Sequence, residues 1–124
     1  MADRRAEAVT ALAQAMGHAF RDRKLLERAL THASVAEGAP PGPHGPMDNE
    51  RLEFLGDRVL GLLVADRLCR DYPLADEGRL SSALHGLVDK AACARVGERL
   101  GVGEALRLSP GETKSGGRRK AGLI

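Results

Sequence analysis

Aromatic residues are scarce in this chain of 124 residues, which has two phenylalanines, one tyrosine and no tryptophan. Strands usually draw on aromatic and β-branched side chains, so the scarcity favours packed helices with a core of leucine, alanine and valine. Phe20, Phe54 and Tyr72 are also too few to build a platform on which the bases of single-stranded nucleic acid stack. The hydrophobic share of 43% nevertheless fits a globular protein. We therefore expect one small helical domain.

Cysteines and long hydrophobic runs are also scarce. Cys69 and Cys93 form neither a CxxC pair nor a zinc-ligand spacing, so we expect two free thiols in a reducing cytoplasm. The first residues mix acidic and basic side chains, unlike a signal peptide. The uncharged stretch 8–20 is too short to span a bilayer. The sequence thus predicts a cytoplasmic protein without a membrane segment.

The net charge of +2 is unevenly distributed along the chain. Residues 1–100 have a net charge of −1, and residues 101–124 have a net charge of +3. The basic side chains near the end include Lys114, Arg118, Arg119 and Lys120. A basic segment beside an acidic body indicates a contact with a polyanion, although a solvated basic tail accounts for the same pattern.

Apolar spacing and capping residues predict helices along most of the chain. Asp22 and Asp76 are suited to begin helices, and Gly17 and Gly101 to end them. The predicted helices cover 4–16, a segment after Asp22, 49–71, 77–87 and 89–100. Four prolines and three glycines make 37–48 a loop, and recurring glycine predicts an extended loop over 101–117. No segment alternates with period two, so residues 1–124 are expected to form one all-α domain.

Three carboxylates lie on one line of the helix predicted over 49–71. Glu50, Glu53 and Asp57 fall within roughly 60° of one another at 100° per residue. The helix is apolar around most of its circumference, and such helices are normally buried. Partly buried like charges need protonation, an arginine cluster or a divalent cation beside them. Oxygen ligands suit Mg²⁺ or Mn²⁺, whereas an acidic stripe that faces solvent needs no ligand.

Four segments together resemble the ribonuclease III family of double-strand-specific endoribonucleases. NERLEFLGD at 49–57 is similar to the signature of that family. The other three segments are LTHAS at 30–34, DEG at 76–78 and GETKSGG at 111–117, and they occur in the family's order and spacing. The resemblance covers the chain from about Met16 to Ile124.

The resemblance implies an all-α endonuclease domain that acts as a homodimer. It implies Mg²⁺-dependent hydrolysis of double-stranded RNA to 5′-phosphate and 3′-hydroxyl ends, with Mn²⁺ as a possible substitute, in the processing of ribosomal and messenger RNA precursors. Glu53 and Asp57 match metal-binding catalytic residues, and Glu50 matches an accessory acid. Phe54 matches the signature phenylalanine that packs into the partner subunit. Lys114, Arg118, Arg119 and Lys120 are the candidate RNA contacts.

Two departures from the family pattern qualify this expectation. Basic residues usual in the family are absent at Ser82 and Leu84, so we expect the RNA contact from that helix either to be weaker or to shift to Arg79 and Lys90. The helix that carries a second Asp and Glu, and the C-terminal double-stranded RNA-binding domain, are absent from these 124 residues. We therefore expect the domain to be incomplete at its C-terminus and the chain alone to be inactive.

Two alternatives to a nuclease remain open from the sequence. One is a non-catalytic relative that dimerises and binds RNA or the ribosome, and the other is an inactive fragment. Individual histidines and serines do not distinguish these alternatives from a nuclease. His32 is expected to be a hydrogen-bonded structural residue, and Ser34 is expected to cap or bond a backbone amide.

Overall fold

The structure is a computed structural model that describes residues 3–43 and 45–114, with the backbone only at residues 113 and 114. Its described part is helical, with two isolated bridges and no named strand. The helices are α1 Arg4–Met16, α2 Arg23–Ala29, α3 Ala33–Ala36, α4 Glu50–Asp71, α5 Glu77–Val88, α6 Lys90–Leu100, α7 Val102–Ala105 and α8 Pro110–Lys114. The all-α prediction is confirmed.

Aspartate side chains cap the starts of α2 and α5, as the sequence predicts. Asp22 accepts a hydrogen bond from the backbone N–H of Leu25 at 3.1 Å, and Asp76 accepts one from Arg79 at 2.9 Å. Each bond satisfies one of the N–H groups that a helix start leaves without an intrahelical partner. Gly17 ends α1 with φ of 66°, a left-handed conformation that glycine adopts without strain. The boundaries of α1, α2, α5 and α6 therefore follow the predicted ones closely.

The hydrophobic core lies between α1, α2 and the short helix α7. Val9 and Leu12 of α1 are buried there with residues of α2 and its end. The other buried members are Leu26, Leu30, Ala105 and Leu106. An ion pair of 2.7 Å between Arg5 and Glu27 also joins α1 to α2. This core is built from leucine, valine and alanine, as the scarcity of aromatics predicts.

The prediction of an extended loop over 101–117 is wrong for residues 101–114, which the structure describes. Gly101 ends α6 with φ of 82°, and the chain then forms α7 at once. Burial drives this turn, because it places Ala105 at 0% exposure in the core. Pro110 begins α8, a position where its fixed φ is favourable and its missing N–H costs nothing. Glycine and proline here mark the ends of short helices.

Burial of α4 on nearly all sides is also a wrong expectation. Only Leu68 of this helix is buried, and the helix packs mainly against α5. The leucines expected to supply the core are largely exposed, including Leu55, Leu62 and Leu63 at 60–70% exposure. The described helices provide a neighbour for one face only. The apolar pattern of α4 therefore leaves an apolar surface without cover in the described part of the chain.

Both cysteines are free thiols, as expected: Cys69 is exposed, and Cys93 is half-buried. Within the residues described, no helix combines the length and the apolar character needed to cross a membrane.

Candidate active site

Hydrogen bonds hold the start of α4 and join it to the end of α2. The carbonyl of Thr31 accepts the N–H of Asn49 at 3.0 Å. The carboxylate of Asp48 accepts the N–H of Glu50 at 3.0 Å, and Arg28 donates to the carbonyl of Asp48 at 3.1 Å. Thr31 and Asp48 are themselves buried. These bonds fix where α4 begins and hence which direction its first acidic residues face.

Glu50, Glu53 and Asp57 line one open groove of about 800 Å³. The acidic side of α4 forms one wall, and the side chains of all three acids are exposed. The opposite wall includes Val88, Lys90 and Cys93, from the end of α5 and the start of α6. The structure thus places the three predicted acids along the same groove, open to solvent.

The three carboxylates do not form a compact metal cluster. Among the residues that the structure describes, no group of three His, Cys, Asp or Glu side chains is placed to hold a metal ion. The reason is geometric, because seven residues of α-helix rise about 10 Å from Glu50 to Asp57. Glu53 and Asp57 lie one turn apart, and their oxygen donors fit Mg²⁺ chemically. Mg²⁺ often takes one or two carboxylates and completes its octahedron with water and substrate phosphate.

Phe54 stands on the same side of α4 as the acids, and 63% of it is exposed. The guanidinium of Arg58 lies 3.9 Å from the centre of its ring, a cation–π contact. Arg58 also donates to the carbonyl of Phe54 at 3.3 Å and to the carboxylate of Asp57 at 3.5 Å. These contacts of Arg58 are therefore all with residues of α4, and its guanidinium covers only part of the Phe54 ring.

The LTHAS segment acts as a structural junction. His32 Nδ1 accepts the N–H of Ser34 at 3.1 Å and lies 2.8 Å from its hydroxyl. The Ser34 hydroxyl accepts the N–H of Ser109 at 3.1 Å. Backbone bonds from His32 to Arg107 and from Arg107 to Leu30 run beside it. The hydrogen bonds predicted for His32 and Ser34 are confirmed, and the junction joins the start of α3 to the segment before α8.

We expect Ser34→Ala to lower the free energy of unfolding by about 1–2 kcal/mol, because the change removes two partly buried hydrogen bonds. Urea denaturation measures the loss. Ser82→Ala is the matched control, since Ser82 is exposed on α5, and its effect should stay within about 0.5 kcal/mol. Equal stability of the two variants would contradict the structural role of the junction.

The residues predicted to contact RNA lie mostly outside the part of the chain that the structure describes. Lys114 belongs to α8, but its side chain is outside the described residues, as are Arg118, Arg119 and Lys120. The two basic residues expected to compensate for Ser82 and Leu84, Arg79 and Lys90, do not lie in the same site. Lys90 lines the groove with the acids, whereas Arg79 does not.

Sequence reasoning missed Asp48 and Thr31, which hold the start of α4. The signal for Asp48 was available, because an aspartate just before a helix start is a frequent cap. The part played by Thr31 has no sequence signal of its own. It depends on the backbone carbonyl of Thr31, which any residue carries.

Similar proteins agree with the family resemblance and with the fold. A family described as ribonuclease-III-like matches residues 22–124. Proteins named ribonuclease 3 from Caulobacter vibrioides (strain NA1000 / CB15N) and Phenylobacterium zucineum (strain HLK1) are 51% and 52% identical. The matches cover 98% and 97% of this chain but 51% and 49% of the relatives. The chain thus spans about half the length of these curated relatives.

A solved structure leads to the same family. The nuclease domain of ribonuclease III from Campylobacter jejuni, described as flexible in a region involved in dimer formation, is 34% identical. The two structures superpose with a TM-score of 0.81, and the match covers 93% of this chain and 75% of the Campylobacter jejuni chain. From the sequence match over most of its length and the shared helical fold, the chain belongs to the ribonuclease-III-like family and has the all-α fold of its nuclease domain.

Proposed function

We propose that the protein is an endonuclease that hydrolyses phosphodiester bonds of double-stranded RNA with the help of Mg²⁺. The observation that carries the proposal is the groove along α4, into which a ribonuclease-III-like chain presents Glu50, Glu53 and Asp57 together. An open groove suits a long polymer better than a small molecule, which needs an enclosing pocket. No residue pattern for a covalent protein nucleophile accompanies the acids.

Glu53 and Asp57 are the residues that would hold the metal ion, and Glu50 is an accessory acid at the start of the helix. When bound, Mg²⁺ would lower the pKa of a water and stabilise negative charge on the phosphate and on the leaving oxygen. The oxygen of water would attack phosphorus and lose a proton, while the bond to the 3′ oxygen breaks and that oxygen takes up a proton. The products are a 5′-phosphate end and a 3′-hydroxyl end. The hydrogen bonds at the start of α4 would help to keep the carboxylates in place during this step.

The partners of the protein are also part of the proposal. Phe54 and the exposed leucines of α4 would pack against a second copy of the chain to form a homodimer. Lys114, Arg118, Arg119 and Lys120 would bind backbone phosphates of the RNA. Precursors of ribosomal and messenger RNA in the bacterial cytoplasm are the proposed substrates.

A cleavage assay tests the activity. We expect the full-length gene product to cut a perfect RNA duplex when Mg²⁺ or Mn²⁺ is present and to stop when EDTA is added. Gel analysis against ladders of known end chemistry should show 5′-phosphate and 3′-hydroxyl ends. A single-stranded RNA of the same sequence and a DNA duplex are the substrate controls. Binding of the RNA duplex without any cleavage would favour the non-catalytic relative and contradict the proposal.

A further inference from the structure

Two basic side chains, Arg58 and Lys90, line the acidic groove among the residues that the structure describes. They differ in what they contact. Arg58 lies over the ring of Phe54 and donates hydrogen bonds to its own helix. Both hydrogen bonds use Nη1, and together with the ring contact they hold the guanidinium against α4. Part of the Arg58 side chain is therefore already used in contacts with Phe54 and Asp57.

Lys90 is placed differently. It is the first residue of α6 and is exposed. Its backbone is held firmly, because the side chain of Asp89 caps α6 through the N–H of Ala92 at 2.8 Å. Val88 and Cys93, on either side of it in sequence, also line the groove. In the described part of the chain, its ammonium group has no ion pair with the carboxylates that share the groove.

An acidic groove repels a phosphate backbone, so a polyanion that binds there needs a cation on the wall. A lysine on a fixed helix start meets this need, because its flexible stem can carry a compact positive charge to the ligand. The groove wall opposite α4 provides such a charge at Lys90. Arg79, which the sequence suggested together with Lys90, is not part of either wall.

We propose that Lys90 binds a backbone phosphate of the RNA duplex as it lies in the groove, opposite Glu53 and Asp57. This inference rests on the proposed function, since it takes double-stranded RNA as the ligand. Lys90 is a binding residue that positions the backbone across the acids. It reads no sequence, because a phosphate contact is the same at every nucleotide.

The test is the salt dependence of duplex binding by the full-length protein, measured in EDTA so that cleavage does not interfere. Loss of one phosphate contact should reduce the slope of log affinity against log salt by roughly one. The affinity gap between the wild type and Lys90→Ala should therefore narrow roughly three- to fourfold from 50 to 200 mM salt. Lys90→Arg should restore the slope. Arg99→Ala is the control, since Arg99 is exposed on the same helix outside the groove.

The outcomes separate this inference from the function on which it rests. Failure of the wild-type protein to bind duplex RNA would overturn both. Wild-type binding with an unchanged slope in Lys90→Ala would overturn the inference alone, and so would an equal fall in slope in Arg99→Ala. A fall confined to Lys90→Ala, with rescue by arginine, supports it.

Discussion

Replacing Asp57 by asparagine is expected to slow cleavage of duplex RNA by roughly 10²- to 10⁴-fold in the full-length protein. The change keeps the shape of the side chain but removes a charged oxygen ligand, and metal stabilisation of a phosphoryl transition state is worth several kcal/mol. Duplex binding should stay within about threefold, because it depends on phosphate contacts with basic side chains. Single-turnover cleavage and a binding titration measure the two quantities separately.

Asp66→Asn provides the matched control for this experiment. Asp66 is an exposed aspartate on the same helix, it pairs with Arg70 at 3.1 Å, and it lies outside the groove. An exposed ion pair of this kind contributes at most about 1 kcal/mol to stability. The control should therefore cleave at nearly the wild-type rate. Full Mg²⁺-dependent cleavage by Asp57→Asn would remove Asp57 from the proposed metal site.

Phe54→Ala is expected to weaken homodimerisation by about 30-fold or more. The ring is 63% exposed on a helix whose neighbouring leucines are also exposed, so a second copy can cover it on both sides of a two-fold axis. Large buried aromatics at the centre of an interface typically contribute 2 kcal/mol or more, which corresponds to about 30-fold in the dissociation constant. Sedimentation equilibrium across micromolar concentrations measures the change.

Stability and surface controls make the dimer experiment decisive. The folded protomer should be little affected by Phe54→Ala, because the ring lies outside the buried core. Leu74→Ala is the surface control, since Leu74 is 99% exposed between α4 and α5. Its dimer constant should equal that of the wild type. A monomeric wild-type protein at micromolar concentration, or an unchanged constant in Phe54→Ala, would contradict pairing through this face.

The helices were predictable where the signals are local. Asp22 and Asp76 cap the helices that follow them, and Gly17 ends α1, because these effects act within one turn of the backbone. The exceptions are α3, which was not predicted, and α7 and α8, which lie where glycine and proline suggested a loop. Burial of Ala105 and Leu106 against α1 and α2 decides the fold there. That contact joins segments distant in sequence, so no local pattern contains it.

The acidic side of the groove was determined by the sequence alone, because the 100° advance of an α-helix puts Glu50, Glu53 and Asp57 on one side. Only the tertiary structure decided what faces them. It brings Lys90 to the opposite wall, leaves Arg79 off it, and engages Arg58 with Phe54. It also decides that the leucines of α4 are exposed, because apolar periodicity reports that a face needs cover but not which surface supplies it. Helical geometry fixes positions within one element, whereas contacts between elements depend on how the whole chain packs.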